Sequence, residues 1–453
     1  MGSLFTSLLN STGALRVYGR EFNVIQNNIT NATTPGYVRQ DQVLVSLPFN
    51  PDQGLPGGVL AGPMLNARST FLEQAVRNQN QSLGYSQQRA TDLGVVESQF
   101  DLTSTFGVPA AMNEFFNGFS QLAVNPNDTV ARQGVLDRAE QVATAFNQAA
   151  IGMQQVSVNV DRQTRDTVAG INRLADQIAA INSTYRADAG ASQDAGLDAQ
   201  LNAALEELSG LANYSLIRTS DGAANVYMGG QTILVIGDKA RLVSADFSGP
   251  QTRIHDSDGG DITSQMTGGQ LGALLDEKNS TIPQYAGQLN GLAASLADNV
   301  NATLAAGVGR DGLPPPGPLF TYNGTTGAAI TLGVGNLTVD QLAASLPTAP
   351  GGNGNAVAIA QLANAPVAGD FTFSQAFGNL GARVGRDVAT ARHEQDQYKD
   401  GLAQARSFRS SQTGVSIDEE AAKLLQFQQA YQAVGKMISV LNDLTESVMN
   451  IIH

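Results

Sequence analysis

Two stripes of apolar residues, one near each end of the chain, keep alternating spacings of three and four. Leu4, Leu8, Leu15, Tyr18, Phe22, Ile25 and Ile29 form the first, with Ser11 filling one place. Ile417, Leu424, Phe427, Tyr431, Val434, Ile438, Leu441, Val448 and Ile452 form the second, with Glu420 and Thr445 as polar interruptions. Such a repeat is a heptad seam, and a helix that carries one buries it against another helix. The two seams are natural partners, so the sequence predicts a chain folded back until its ends pair as a coiled coil. The second helix carries its own start signal. Ser416 is placed to cap it with Glu419 three residues on, and Asp418, Glu419 and Glu420 bring negative charge to the positive end of the helix.

The first seam stops abruptly. Residues 27–37 read NNITNATTPGY. Asn31 and Thr33 compete locally for the hydrogen bonds a helix needs, Pro35 biases Thr34 away from the helical region, and Gly36 permits positive φ. The chain must turn here. Tyr37 then offers a ring to pack and a hydroxyl to pair.

Between the ends the reading is strongly helical. Ser69 or Thr70 can cap a helix to about Leu102, and Pro109 opens a shorter one with Phe115, Phe116, Phe119 and Leu122 before the turn at 125–128. From 129 to about 185 a long rod-like helix is expected, because Val135, Val142, Phe146, Met153, Val156, Val160, Ile171, Leu174, Ile178 and Ile181 hold coiled-coil spacing. After a helix at 197–211, the runs SLIRTS, ANVYMGG, TILVIGD and ARLVSAD alternate apolar and polar residues between Gly and Asp turns, which predicts a small antiparallel sheet. Residues 271–304 and 377–408 return to helix. The prolines of 307–318 forbid a helix or central strand, and 348–356 is a second Gly-rich link. The fold class expected is mainly α with a smaller β part. Residues 1–68 with 405–453 would form the terminal coiled-coil domain. A helical body would take 69–306 with 356–404, its β region at 214–265, and 307–355 would be a small Gly/Pro-rich outer segment.

Candidate chemistry is thin. His255 to Asp261 place three carboxylates and an imidazole together, but without the spacing of a calcium loop, so a solvated hairpin turn is expected. His393 stands beside Glu394 on a helix, where adjacent residues do not share a face. His453 is expected to be mobile. Glu206 and Glu207 lie on a polar helix surface without apolar shielding, which does not make a glycosidase pair. No GxSxG nucleophile turn occurs. Catalysis, cofactors and metals are therefore not expected. The 453 residues are 42% hydrophobic and only 15% charged, enough apolar material for several folded regions. There is no cysteine, so stability outside a cell would rest on packing alone. The net charge of −14 argues against a nucleic-acid partner. No apolar span is long enough for a membrane helix, and Arg16 is the first basic residue, so an ordinary leader peptide is not expected.

The run at 27–37 resembles the amino-terminal signature of the flagellar axial proteins, the rod, hook and hook-associated subunits of the bacterial flagellum. Residues 414–433, GVSIDEEAAKLLQFQQAYQA, are similar to the carboxyl-terminal signature of the hook-associated junction proteins, and residues 267–301 resemble the same family. The resemblance spans most of the chain and weakens between about 320 and 354. It implies a structural junction adaptor joining hook to filament, with a hook or distal-rod subunit as the other axial reading. The assembly residues would be Leu8, Leu15, Phe22, Ile25, Ile29, Ile417, Leu424, Phe427, Tyr431, Val434, Ile438, Leu441 and Val448. Asn27, Asn28, Asn31, Thr34, Pro35, Gly36 and Tyr37 would carry the family motif. Implied partners are further copies in a helical ring or layer, the hook protein, a second junction protein and an export chaperone. Export without a cleaved leader and residence at the hook-filament junction follow from the same resemblance. One apolar residue in three or four cannot offset the entropy of ordering both ends, so the terminal helices are expected to order only on docking with neighbours. The outer segment at 307–355 would be reduced relative to the larger insertions of the family.

Overall fold

The computed structural model describes residues 2–50, 55–100, 107–188, 190–366 and 368–452. Leu102, His453 and the side chain of Ile452 lie outside the described residues.

In chain order the principal elements are α1 (Gly2–Thr30), β1 (Gln40–Ser46), β2 (Phe49–Asn50), β3 (Leu55–Pro56), β4 (Val59–Asn66), α2 (Thr70–Glu97), α3 (Val108–Val124), α4 (Thr129–Ala187) and α5 (Ala195–Leu211). There follow β5 (Tyr214–Arg218), β6 (Ala224–Met228), β7 (Thr232–Ile236), β8 (Lys239–Ala240), β9 (Ser244–Asp246), β10 (Arg253–His255), α6 (Gly269–Asp276) and α7 (Ile282–Ala305). The chain ends with β11 (Phe320–Thr321), α8 (Ala328–Thr331), β12 (Gly333–Val334), α9 (Gly354–Gln361), α10 (Phe373–Thr413) and α11 (Ile417–Ile452). The fold is mainly α with small antiparallel sheets. Two compact units divide it: Met1–Ser82 with Gly170–Leu242 and Tyr398–His453, and Leu83–Ala169 with Val243–Gln397.

In the first unit α1 packs along α11 and also against the hairpin formed by β1 and β4. The hairpin is antiparallel, runs in register from Gln40 opposite Asn66 to Ser46 opposite Val59, and bulges between Gln42 and Leu44. Sequence periodicity gave no sign of it. Its apolar residues do not alternate between one wet and one dry face, and Leu44, Val45, Leu60 and Leu65 all remain exposed. The expected sheet is present, in the order β5-β6-β7-β8, but the ARLVSAD run is divided. Ala240 ends the four-stranded sheet, whereas residues 244–246 pair with β10 in the second unit. Asn182 of α4, fully buried, holds the sheet by donating to the carbonyls of Ala224 and Gly237 and accepting from the Ala224 amide. Ile171, Leu174, Ile178 and Ile181 of the same helix are buried, as the spacing predicts.

The second unit has one continuous apolar core. Phe115 meets Phe116, Phe119 and Phe320, and Phe116 stacks on Phe373. Val135, Val142, Phe146, Met153, Val156 and Val160 of α4 line the same core. Residues 307–355 contribute Leu319, Phe320, Leu332, Leu342, Ala343 and Ala344 to it. Arg132, 1% exposed, fastens this segment by donating to the carbonyls of Val339 and Leu342 while its Nε donates to Pro126. Two helix expectations change here. The helix beginning at Thr70 ends at Glu97 and passes into a 3₁₀ turn at Ser98–Phe100. The helix expected over 271–304 is interrupted by a π-turn at Glu277–Thr281. The second Gly-rich link is also partly helical, since α9 starts at Gly354. The HDSDGGD run is a polar turn in which Asp256 Oδ1 accepts from the amides of Asp258 and Gly260.

Candidate assembly site at the chain ends

The α1–α11 pair is antiparallel, because Asn28 near the end of α1 meets Glu420 near the start of α11 while Ser11 meets Met437. Tyr18 packs on Phe427 at 5.8 Å between ring centroids and Phe22 on Tyr431 at 5.9 Å. Within one molecule the seam is only partly covered. Ile25 is buried; Leu8, Leu15, Phe22, Ile29, Leu424, Phe427, Val434, Ile438, Leu441 and Val448 are half-buried; Ile417 and Tyr431 are exposed. A second stripe of α1, comprising Val17, Glu21, Val24 and Asn28, is buried, although heptad counting omitted it.

The Asn-rich turn is built from its own side chains. Asn31 donates to the Asn27 carbonyl and to Asn27 Oδ1, and Thr34 donates to Asn31 Oδ1. The Tyr37 amide closes on the Thr34 carbonyl, so Pro35 and Gly36 occupy the central places of a β-turn that needs positive φ at its third residue. Gly36 has φ +77°, and a Cβ there would lie 2.4 Å from the Ala199 carbonyl oxygen of α5. Pro35 itself is exposed.

Asn28 joins this turn to the far end of the sequence. Its amide nitrogen donates to the Gln40 carbonyl at 2.9 Å and to Glu420 Oε2 at 3.0 Å. Its oxygen accepts from the Gln40 amide and from the Tyr37 hydroxyl. Asn27 adds a longer donation to that hydroxyl. Glu420, counted as an interruption of the seam, is therefore the buried partner of the motif, and Lys423 lies 3.4 Å from its other oxygen. Burial, followed by the Glu420 charge, pushes the Tyr37 hydroxyl up to about 12. Burial works against ionised Asp41, but the hydrogen bond and charge of Lys423, with help from Arg39, hold its carboxyl below the ordinary range. Ser416 caps α11 as predicted, accepting from the Glu419 amide, whereas the Glu419 carboxylate pairs with Arg39.

A charged network backs the turn. Arg68 donates to the Gly36 carbonyl and pairs with Glu73 and Asp198. Arg409 bridges Glu73 and Glu206, and Arg406 also pairs with Glu206. Glu206 is thus engaged by two arginines and is not on a bare helix surface; the sequence carried no local signal for this because the arginines lie some two hundred residues away. Burial opposes its ionisation, but the two guanidinium groups hold its carboxyl below the ordinary range.

Residues 93–320 match the helical domain of flagellar hook-associated protein FlgK, and residues 408–451 match the carboxyl-terminal domain of the flagellar basal body rod proteins FlgEFG. The chain is 25% identical to flagellar hook-associated protein 1 of Bacillus subtilis over 505 aligned positions, covering 99% of each chain. It is 23% identical to the protein of that name from Salmonella typhimurium over 558 positions, covering 98% of this chain and all of the relative. The solved flagellar hook junction protein FlgK from Burkholderia pseudomallei superposes with a TM-score of 0.67 at 16% identity, covering 75% of this chain and all of that one, which is a likeness of fold. With half of its length matched by that helical domain, the chain belongs to the flagellar hook-associated protein FlgK family.

Proposed function

We propose that this protein is a structural subunit of the bacterial flagellum, a junction adaptor between hook and filament that assembles through its terminal helices. One observation carries the assembly reading. The α1–α11 pair covers one face of each helix and leaves Phe5 (63%), Leu9 (55%), Leu425 (60%), Val440 (56%) and Met449 (51%) exposed on others. Apolar area of this extent on a two-helix pair calls for further helices beside it. Other copies packed head to tail would supply them. On this reading the half-covered seam residues become fully covered only in the assembly, and the ends order on docking. The hook protein lies on one side and a second junction protein on the other, after chaperone-assisted export. The role is mechanical, with no catalysis, cofactor or metal, and 307–355 is a reduced outer segment.

Labelling of the protein in intact flagella tests the placement. Signal confined to the distal end of the hook is expected; signal along the filament overturns the reading. Signal within the rod or hook shaft would favour a rod or hook subunit, a second reading that draws on the match of residues 408–451 to the rod proteins.

A further inference from the structure

Among the described residues Glu277 is the most deeply buried acid of the second unit, at 0% exposed, and neither of its carboxylate oxygens has a hydrogen-bond partner there. It opens the π-turn Glu277–Thr281 that joins α6 to α7. Wide turns of this kind are rare and frequently lie at functional sites. Facing it is Asp92 of α2, 4% exposed and within hydrogen-bonding reach once one of the two groups carries a proton. The oxygens of Asp92 are fixed by the amides of Gln88, at 2.5 Å, and Gln163, at 3.1 Å, and Gln270 ties Gln88 from α6. The other charged or titratable groups at this place are Arg89 and Tyr85 of α2, Asp276 beside Glu277, and Glu394 of α10 acting on Tyr85. Arg89 lies over the Tyr85 ring with its Nε unpaired, so around Glu277 one cation faces the carboxylates of Glu277, Asp92 and Asp276.

Two carboxylates both accept; neither can donate unless protonated. We propose that Glu277 is held as a neutral acid that donates its proton to Asp92, and that this single proton latches the π-turn onto α2, making the second unit sensitive to pH. Burial first, then the charge of Asp92 and its hydrogen bond, push the Glu277 carboxyl well above its ordinary value of 4.5, with Arg89 opposing. The sign follows. A folded chain that keeps a proton the unfolded chain has lost is favoured at low pH. The stabilisation is complete below about 4.5, declines as pH rises above it, and is gone beyond the folded-state titration.

The test uses the full-length protein and the variants Glu277→Gln and Asp92→Asn. Infrared difference spectra at neutral pH should contain the carbonyl stretch of a protonated acid in the parent that is missing from E277Q. Between pH 5 and 9 the parent's unfolding equilibrium should move toward unfolding relative to E277Q by up to about tenfold per pH unit. D92N should remove the hydrogen-bonding anion and broaden the acid band. The parent alone suffices if E277Q does not fold: amide exchange at residues 276–282 should rise with pH faster than base catalysis requires. Absence of the acid band at neutral pH overturns the proposal, as do parallel pH profiles of parent and E277Q. Stabilisation by added calcium in place of the acid band overturns it too, because a cation would then hold the pair.

Discussion

Asn28 uses its whole amide: two donations, to Gln40 and Glu420, and two acceptances, from Gln40 and Tyr37. No other side-chain type offers two donors and two acceptors at that length except its longer homologue, which would not fit the same spacing. Asn28→Ala should therefore strand buried Glu420 and the Gln40 backbone, destabilising the first unit by about 1–3 kcal/mol per group left unpaired. Urea titration followed by circular dichroism measures the loss, and faster amide exchange over 26–42 locates it. Gly36 fails differently. Gly36→Ala forces a β-carbon into positive φ and into the Ala199 carbonyl at 2.4 Å, a cost on the order of 1–3 kcal/mol that the same titration reads. The turn was legible from Pro35 and Gly36 alone because it is a local event. The partner of Asn28 was not, because Glu420 lies 392 residues away and a polar residue in an apolar stripe reads as a gap.

At the scale of elements, legibility follows periodicity. Every apolar position read from α4 is buried, because a long helix with a clear stripe leaves little choice of face. The β1–β4 hairpin is silent in the sequence because its exposed leucines and valines break the alternation by which a strand is recognised. The π-turn is silent too, because one residue of extra winding changes neither composition nor capping. Charge networks between distant elements are equally silent in sequence, yet they fix pH behaviour. Glu206 of α5 receives Arg409 and Arg406 of α10, and its carboxyl is held below the ordinary range. A depressed acid contributes stability that is present above its unfolded value, 4.5, and is lost as pH falls through the folded one. The acid limb of the stability profile should therefore flatten in Glu206→Gln. A variant whose midpoint below pH 4.5 still tracks the parent would show that the arginines do not depend on this carboxylate.

For the whole molecule the contrast lies between a body whose core is closed and ends whose surface is not. The second unit buries its aromatic cluster within one copy, whereas the terminal pair leaves Leu425, Met437 and Val440 more than half exposed. A closed core needs no neighbours to stay folded; an open helical pair gains most of its burial from them. The proposed assembly thus separates folding from polymerisation in a way that can be measured. Val440→Asp with Leu425→Asp should leave the circular dichroism and unfolding of the body nearly unchanged, since surface substitutions away from the core cost within about 0.5 kcal/mol. The same pair should abolish incorporation at the hook tip, because a carboxylate buried between copies without a partner is costly. In dilute solution a protease should remove the ends of the parent first and spare the body; in assembled flagella the ends should resist. Incorporation of the double variant at the parent's level, or rigid protease-resistant ends in the isolated chain, would mean that neighbours do not complete the terminal helices.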